Sequence, residues 1–477
     1  MSQDKNIAFQ AGLWYVVSSV MVKAVSLLTT PIFTRILSQT DYGITATFSS
    51  WYALLLTFCT LNLTYSIGRA KLDFPGKLEE YIGSMQLLSA VVTGGISLVL
   101  LVFLKPVSRF LELDPLLVVL LVVYLFFSPA IAFVQNGYRY RYQYKQNIAI
   151  AWYTALTTVA ISLVLVLSVD NNKYIARVIG IVLPTVALSA VFWIRSLWKG
   201  QIRFRREYWK YGLALSGPLV VHTISMNILS QSDRLFISKI CGPEVTGLYS
   251  LSANYGLLLS IVTNAVAEGW LPWFHDNYFA RNFDAIRKNV KPVILLGCFI
   301  GLACIGFAPE AIRILGGEQY AEGIWCVPPI VLGIICQYIY THYVNIEMHL
   351  KKTKYVSRGT VFAALLNIGL NAIFIPLFGY IAAAYTTFAS YTALLFIHFF
   401  ITRRILKVRL YQDSFLFLSL GVTTVVSGML MFSYTMPLLR YLLIGIGFIL
   451  FLFVFRNHLF QFFKKIKSRE GNHGTYS

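Results

Sequence analysis

A single charged residue interrupts the first long apolar segment of the chain. Lys23 lies near the middle of residues 12–34, a run that can cross a bilayer because about 20 apolar residues suffice. A lysine at the centre of a membrane helix costs about 2.5–3.5 kcal/mol on insertion scales, so it needs water or a partner group. The polar residues around it recur every three or four positions and share one helix face: Tyr15, Ser19, Ser26, Thr30 and Thr34. We interpret this face as the lining of a polar cavity. The alternative is a structural lysine that bonds to a neighbouring helix.

The composition is that of a membrane protein with many spans. Of the 477 residues, 57% are hydrophobic and 13% are charged, and the mean hydropathy is +0.66. Soluble domains carry about 25% charged residues, so a soluble enzyme is excluded. The apolar runs predict an all-α protein with about fourteen transmembrane helices, near residues 12–34, 44–66, 82–104, 116–134, 148–168, 175–197, 212–237, 247–270, 292–308, 325–346, 358–376, 380–401, 415–432 and 438–455.

The chain has a net charge of +20, and its basic residues are concentrated in alternate loops between these helices. Three quarters of the 40 Lys and Arg residues lie in the N-terminus, every second loop and the C-terminus. This bias predicts that both termini lie in the cytoplasm and that the basic loops lie against anionic lipid head groups. Nucleic acid is excluded as a partner, because no loop is long enough to form a soluble domain with a basic face.

The linker at residues 198–211 is the most basic loop and divides the chain. We predict an N-lobe of six helices (1–197), a C-lobe of six (212–401), a further helix pair (402–455) and a basic cytoplasmic tail (456–477). An internal repeat supports two lobes of the same orientation, because the short segments Arg35–Gly43 and Lys239–Gly247 align without a gap at a spacing of 204 residues. We predict that Gly43 and Gly247 form turns, where a positive φ is easy for glycine.

Six cations are candidates for a cavity that binds an anionic ligand. They lie inside helices or at the predicted helix ends: Lys23, Arg35, Arg69, Arg177, Arg234 and Lys239. Phosphate and uronic-acid groups bind arginine through charge-assisted, often bidentate hydrogen bonds. For Arg177, Lys239 and Arg69, the alternative is that the side chain extends to the lipid head groups.

Two acids, Glu268 and Asp233, are candidates for ion coupling, because a carboxylate in a membrane pathway can take a proton or a sodium ion. Each is alternatively a salt-bridge partner of a cavity cation. We count them as the only acids well inside helices. Asp233 shares one side of its helix with His222, Ser225 and Ser232, and we predict that this side faces the same interior as Lys23.

Other polar residues favour structural roles. His398 and His349 are isolated in the sequence and are interpreted as packed or interfacial. Six cysteines form no CxxC pair, so neither a metal site nor a disulfide framework is expected. No P-loop, GxSxG, HExxH or dinucleotide-binding motif occurs, and no cofactor or enzymatic activity is predicted.

The eleventh and twelfth helices carry a specific motif. The segment Asn367-Ile-Gly-Leu-Asn371-Ala-Ile-Phe-Ile-Pro376-Leu-Phe-Gly379, followed by Ala382–Ala384 and Thr386, resembles the signature of polysaccharide transporters. These belong to the multidrug/oligosaccharidyl-lipid/polysaccharide exporter superfamily. We interpret Asn367 and Asn371 as partners in hydrogen bonds between helices rather than as substrate contacts.

The resemblance implies two six-helix lobes that rock around a central cavity. It also implies a flippase that moves an undecaprenyl-diphosphate-linked oligosaccharide from the inner to the outer leaflet, for O-antigen, lipopolysaccharide, capsule or exopolysaccharide synthesis. A glycan polymerase and a chain-length regulator are partners on the same basis. The thirteenth and fourteenth helices are extra to the core, as in lipid II flippases of the superfamily.

Three alternatives stay open on the sequence. A lipid II-type flippase is compatible with the two extra helices. A drug/cation antiporter of the same superfamily is less favoured, because unpaired acidic residues would be needed to bind a cationic ligand and the residue at the centre of the first helix is Lys23. A membrane glycan polymerase is the least favoured, because the predicted outer loops are short.

Overall fold

A computed structural model of the chain describes the backbone of residues 2–199 and 201–473, and the side chains of residues 14, 17–199, 201–217 and 219–456. The regular elements in these ranges are all helices. Twelve are long and apolar enough to span a membrane, and two bent pairs bring the number to fourteen. The predicted all-α architecture is therefore confirmed, and the chain is a multi-pass membrane protein.

The first six spans form one half of the molecule. Their bounds are α1 Ser2–Ile36, α2 Gln39–Thr60 continued after a bend by Leu63–Asp73, α3 Leu78–Val102, α4 Pro115–Tyr140, α5 Tyr144–Leu167 and α6 Lys173–Trp198. Their buried apolar side chains form three local clusters, centred on Phe48, on Tyr81 and on Phe33. We call this half the N-lobe.

The other eight spans form the second half. Their bounds are α7 Arg206–Gly217 continued after a bend by Leu219–Cys241, α8 Pro243–Phe279, α9 Phe283–Gly306, α10 Glu318–His349, α11 Thr353–Phe378, α12 Ile381–Ile405, α13 Asp413–Thr435 and α14 Pro437–His473. One large apolar core runs from Leu229 to Tyr434 through this half, which we call the C-lobe. The lobes thus have separate cores.

Helix α7 belongs to both lobes. Between Gly217 and Leu219 its axis bends by 51°. Before the bend, Tyr208 is buried in the Tyr81 cluster of the N-lobe, and the indole of Trp209 donates a hydrogen bond to the Ser84 carbonyl at 3.0 Å. After the bend, the helix packs in the C-lobe core. The packing boundary therefore falls inside α7, later in the chain than the linker.

The last two spans pack on the C-lobe through apolar side chains of its core and through polar contacts. Arg440 of α14 pairs with Glu310, which also accepts a hydrogen bond from the Tyr441 hydroxyl at 2.7 Å. Asp413, at the start of α13, accepts hydrogen bonds from Arg403 at 2.6 Å and from Tyr343 at 2.8 Å. Residues 437–456 of α14 otherwise expose mostly apolar side chains, as expected of a helix in contact with lipid.

The two repeat glycines touch each other across the lobes. A Cβ on Gly43 would lie 1.7 Å from the Pro243 carbonyl oxygen, and one on Gly247 would lie 2.3 Å from the Gln39 carbonyl oxygen. Backbones of α2 and α8 can approach this closely only because both residues lack a side chain. Neither glycine has a positive φ. The predicted turn role is therefore wrong, and the glycines close one end of the molecule, which we call the closed end.

Candidate functional site: the gap between the lobes

Helix α1 contacts the C-lobe near the closed end through hydrogen bonds, and one side chain further along, Leu27, packs against the C-lobe core. The Thr34 hydroxyl donates to the Leu315 carbonyl at 2.5 Å, and the Gln319 side-chain amide donates to the Thr34 carbonyl at 3.0 Å. The Arg35 guanidinium reaches the Ile314 carbonyl at 3.4 Å. The face of α1 that carries Thr34 is therefore the face turned toward the C-lobe.

Lys23 lies on that same face, further from the closed end. Eleven residues separate it from Thr34, which on a regular helix means a rotation of about 20° and a distance of about 17 Å. Its side chain is exposed, as are those of Ser19 and Ser26. Among the residues whose side chains are described, Lys23 has no hydrogen bond or ion pair. Lys23 is therefore an exposed cation on the side of α1 that faces the C-lobe, and we call the space between the lobes at this level the gap. Tyr15, the first member of the predicted stripe, lies outside the described side chains.

Helix α8 supplies the opposite wall of the gap. The Asn254 amide donates to the Tyr42 hydroxyl of the N-lobe at 3.2 Å, which orients this face of α8 toward the N-lobe. Further along the same face, Leu257, Asn264 and Glu268 are exposed. Glu268 is 21 residues beyond Gly247, or about 31 Å along the helix, so it lies near the opposite, open end of the gap.

Arg234 forms the roof of the gap, next to the closed end. Its guanidinium donates to Gln231 and to Asn254, each at 3.1 Å, and only 9% of the residue is exposed. Through Asn254 it is linked to Tyr42, so hydrogen bonds connect Arg234 of the C-lobe to the N-lobe at this level. An arginine in this position can hold a ligand anion if the Asn254 contact opens.

The four other predicted cations lie apart from this gap. At the closed end, the Lys239 ammonium lies 5.0 Å from the Phe110 ring and Arg177 stacks 3.6 Å from the Phe33 ring, while Arg35 contacts Ile314 as described. Arg69 lies toward the other end, exposed and paired with Asp73 at 3.0 Å. The six cations thus occupy several levels of the molecule rather than one cluster, and their role in binding stays a prediction.

Asp233 is buried in a network within the C-lobe. Its carboxylate accepts hydrogen bonds from Tyr249 at 2.6 Å, Thr387 at 2.7 Å and Asn371 at 2.8 Å. Asn367 bonds to Thr387 at 3.0 Å. The interpretation of the two asparagines as partners in hydrogen bonds between helices agrees with these contacts. In the part of the chain that the structure describes, Asp233 forms no ion pair, so its negative charge is held by neutral donors.

The polar stripe around Asp233 faces the C-lobe interior. His222 contacts the Thr360 hydroxyl at 3.0 Å, and Ser232 donates to Asn367 at 2.6 Å. The prediction that this side of α7 faces the same interior as Lys23 is therefore wrong. Helix periodicity showed which residues share a face. It could not show the role of that face, because polar groups inside a membrane bundle form hydrogen bonds between helices as often as they line a transport pathway.

The sequence interpretation missed a buried acid. Glu347 of α10 and His398 of α12 are both fully buried, and the imidazole Nδ1 lies 2.9 Å from the carboxylate. His398 is thus not isolated, and Glu268 and Asp233 are not the only acids within helices. Both residues lie near the ends of apolar runs. Charged residues are common at such positions, so the sequence did not distinguish these two buried residues from residues at the membrane interface.

The comparisons with known proteins agree with this architecture. The structure is similar to one described as a lipid II flippase in an inward closed conformation, with 14% identity and a TM-score of 0.72 over 94% of this chain and 99% of that one. It is also similar to an inward-facing multidrug resistance transporter of the same superfamily, with 13% identity and a TM-score of 0.61 over 82% of this chain and 98% of that one.

A third similar structure is a transporter of that superfamily from Pyrococcus furiosus, with 13% identity and a TM-score of 0.56 over 84% of this chain and 96% of that one. At these identities the likeness establishes the fold. No curated protein sequence matches the chain. The family model for polysaccharide biosynthesis proteins matches residues 9–277, which is more than half of the sequence. The chain therefore belongs to the polysaccharide biosynthesis protein family, in the fold of the multidrug/oligosaccharidyl-lipid/polysaccharide exporter transporters.

Proposed function

We propose that this protein is a flippase for an undecaprenyl-diphosphate-linked oligosaccharide repeat unit. The cargo passes from the inner to the outer leaflet of the bacterial cytoplasmic membrane, where it enters O-antigen, capsule or exopolysaccharide synthesis. The observation that carries the proposal is Lys23, which has no partner among the described side chains and lies on the gap-lining face of α1 in a chain of the polysaccharide biosynthesis family. A diphosphate is the part of the cargo that needs a cation inside the bilayer.

The proposed topology determines which end of the molecule faces the cytoplasm. The basic loops place the termini in the cytoplasm, so the closed end at Gly43 and Gly247 faces outward and the gap opens inward. A ligand from the inner leaflet would then reach Lys23 first, and Arg234 lies beyond it at the closed end of the gap. Release outward requires the contacts of Thr34 with Leu315 and of Asn254 with Tyr42 to break while the inner end closes.

Ion coupling is part of the proposal. The Asp233 carboxylate is buried among neutral donors, and a buried negative charge without an ion pair is expensive. A proton or a sodium ion would relieve this cost and thereby connect the C-lobe to an ion gradient. Glu268 is the second candidate, because it is exposed at the open end of the gap.

The test is surface glycan in cells that carry Lys23 variants. We expect Lys23→Ala to abolish surface glycan while protein stays in the membrane, and Lys23→Arg to restore it because charge is the requirement. Leu28→Ala is the matched control, since Leu28 is 72% exposed on another face of the same helix. Normal glycan with Lys23→Ala would refute the binding role of this residue.

Coupling is tested separately with Glu268→Gln and Asp233→Asn in reconstituted vesicles. We expect the variant of the coupling residue to lose the dependence of transport on the proton or sodium gradient. If both variants transport with unchanged dependence on pH and sodium, neither acid couples.

A lipid II-type flippase is the second candidate. The likeness to the lipid II flippase structure extends over 94% of this chain, against 82% for the multidrug transporter, and α13 and α14 pack on the C-lobe. Rescue of cells depleted of their own lipid II flippase would favour this function over the repeat-unit flippase. Failure there, with rescue of surface glycan in a mutant that lacks it, would favour the first.

A further inference from the structure

A polar cavity of about 320 Å³ lies in the N-lobe, away from the gap. It is bounded by the start of α3, the end of α4, the end of α6 and the linker that joins the lobes. Its charged lining residues are Glu79, Arg141 and Arg195, and its other polar lining residues are Gln86, Gln143, Gln146, Gln201, Ser196 and Tyr138. Its size suits a small polar group rather than a lipid chain or an oligosaccharide.

Two amides inside the cavity lack partners. Gln86 is only 2% exposed, and its side-chain nitrogen has no hydrogen-bond acceptor among the described residues. The side-chain oxygen of Gln143 is likewise buried without a donor from the described side chains or backbone. Buried polar atoms are rarely left without a hydrogen-bond partner, so a cavity that holds one donor and one acceptor of this kind is suited to a ligand with hydroxyl groups.

The cavity carries a net positive charge. Glu79 is already compensated, because it pairs with Arg141 and accepts a hydrogen bond from the Gln201 amide at 2.6 Å. Arg195 has no ion pair or hydrogen bond among the residues that the structure describes. Burial and the positive charge of Arg195 lower the pKa of Arg141, as expected of two guanidinium groups beside one cavity. An anion would give the Arg195 guanidinium a partner and would offset the excess positive charge beside Arg141.

The linker covers this cavity. A Cβ on Gly83 would lie 2.2 Å from the Gln201 carbonyl oxygen, so the linker backbone rests directly on α3. Arg205 then pairs with Glu80, one residue after the cavity's own acid. A ligand in the cavity would therefore contact both the N-lobe and the segment that leads into α7.

We propose that this cavity binds a phosphate ester that carries hydroxyl groups, with Arg195 and Arg141 on the phosphate and Gln86 and Gln143 on the hydroxyls. Two sources share this chemistry: the phosphoglycerol head group of an anionic lipid, and a soluble glycerol or sugar phosphate. The helix ends around the cavity carry basic residues, which favour the head-group region of a membrane, so a lipid head group and a soluble ester are both candidate ligands. The site is independent of the cargo in the gap.

The experiment uses the full chain in nanodiscs of phosphatidylcholine, with thermal unfolding as the measurement. One arm adds phosphatidylglycerol to the nanodiscs, and the other adds glycerol 3-phosphate to the buffer. We expect at least one arm to raise the unfolding midpoint, and Arg195→Gln to weaken the apparent affinity by about tenfold or more, the loss of one charge-assisted hydrogen bond. A response in the lipid arm identifies the head group, and a response in the soluble arm identifies the free ester.

Arg203→Gln is the matched control. Arg203 is an exposed linker arginine outside the cavity, so its removal changes the same charge near the same surface. We expect it to bind like the unchanged protein, and Gln86→Leu to bind more weakly with the charge intact. The proposal is overturned if neither arm stabilises the protein, if Arg203→Gln loses as much affinity as Arg195→Gln, or if inorganic phosphate stabilises as well as the ester.

Discussion

The contact between Gly43 and Gly247 allows a quantitative test of alternating access. A methyl group at Gly43 would lie 1.7 Å from the Pro243 carbonyl oxygen and 2.9 Å from the Gly247 nitrogen. Both neighbours are backbone atoms, so no flexible side chain can move aside. Overpacking of this kind costs about 1–3 kcal/mol. The cost falls only on the conformation in which the two helices touch.

Gly43→Ala should therefore shift the protein away from the closed conformation. A cost of about 1–3 kcal/mol corresponds to a change of about 5-fold to 150-fold in the ratio of the two conformations. The gain in helix propensity from alanine, about 1 kcal/mol, applies to both conformations and cancels in the ratio. On the proposed topology, the outer end opens.

The assay measures access to Thr34 from outside the cell. Thr34 is fully buried beneath Leu315 at the closed end, so a cysteine placed there should react with an impermeant maleimide only when the lobes separate. In a background without the six native cysteines, we expect Gly43→Ala to accelerate labelling by about the same 5-fold to 150-fold factor. Adding Gly247→Ala should accelerate it less than additively, because both methyl groups strain one contact.

Gly94→Ala is the control for this experiment. A Cβ there meets no heavy atom within 4 Å, so the same chemical change should leave labelling unchanged. Equal labelling of the Gly43→Ala protein and its parent, with both folded and in the membrane, would refute the view that these glycines close the gap.

Three further predictions concern residues outside that contact. Asn371→Leu removes a hydrogen bond to the buried Asp233 carboxylate, so we expect the unfolding free energy to fall by about 1–3 kcal/mol. The measurement is thermal unfolding in detergent, and the control Thr392→Val, which lies outside this network, should lower the unfolding free energy less. His398→Ala leaves Glu347 buried without its partner and should lower the unfolding midpoint more than the double variant Glu347→Gln with His398→Gln; equal midpoints would contradict a coupled pair. Arg69→Gln breaks an exposed ion pair with Asp73, so the unfolding midpoint should not change. A loss of surface glycan at normal protein level would support the predicted role of Arg69 in binding, and normal glycan would contradict it.

The fourteen spans could be predicted from the sequence because the bilayer imposes one requirement, a length of apolar residues, that is local in the chain. The internal repeat located Gly43 and Gly247, but not what they do. Their role depends on a contact between residues 204 positions apart, and a glycine in a helix looks the same in sequence whether it faces space or another backbone.

The candidate site could be predicted only in part. The stripe around Lys23 lies on the face of α1 that Thr34 turns toward the C-lobe. The stripe around Asp233 has the same spacing and turns inward to α11 and α12. Spacing defines a face but not the neighbour of that face. The pairing of Glu347 with His398 is likewise set by how α10 and α12 pack, 51 residues apart in the sequence.

The division of α7 between the lobes has a consequence for assembly. Tyr208, Trp209 and Tyr211 anchor the first turns of a C-terminal fragment in a socket made by α3, where Gly212 lies against Met85. If the chain were cut in the linker and the two fragments were produced separately, the second fragment would keep the residues of α7 that pack against the first. We expect such split halves to reunite in the membrane without a peptide bond between them, and Tyr208→Ser to prevent their reunion.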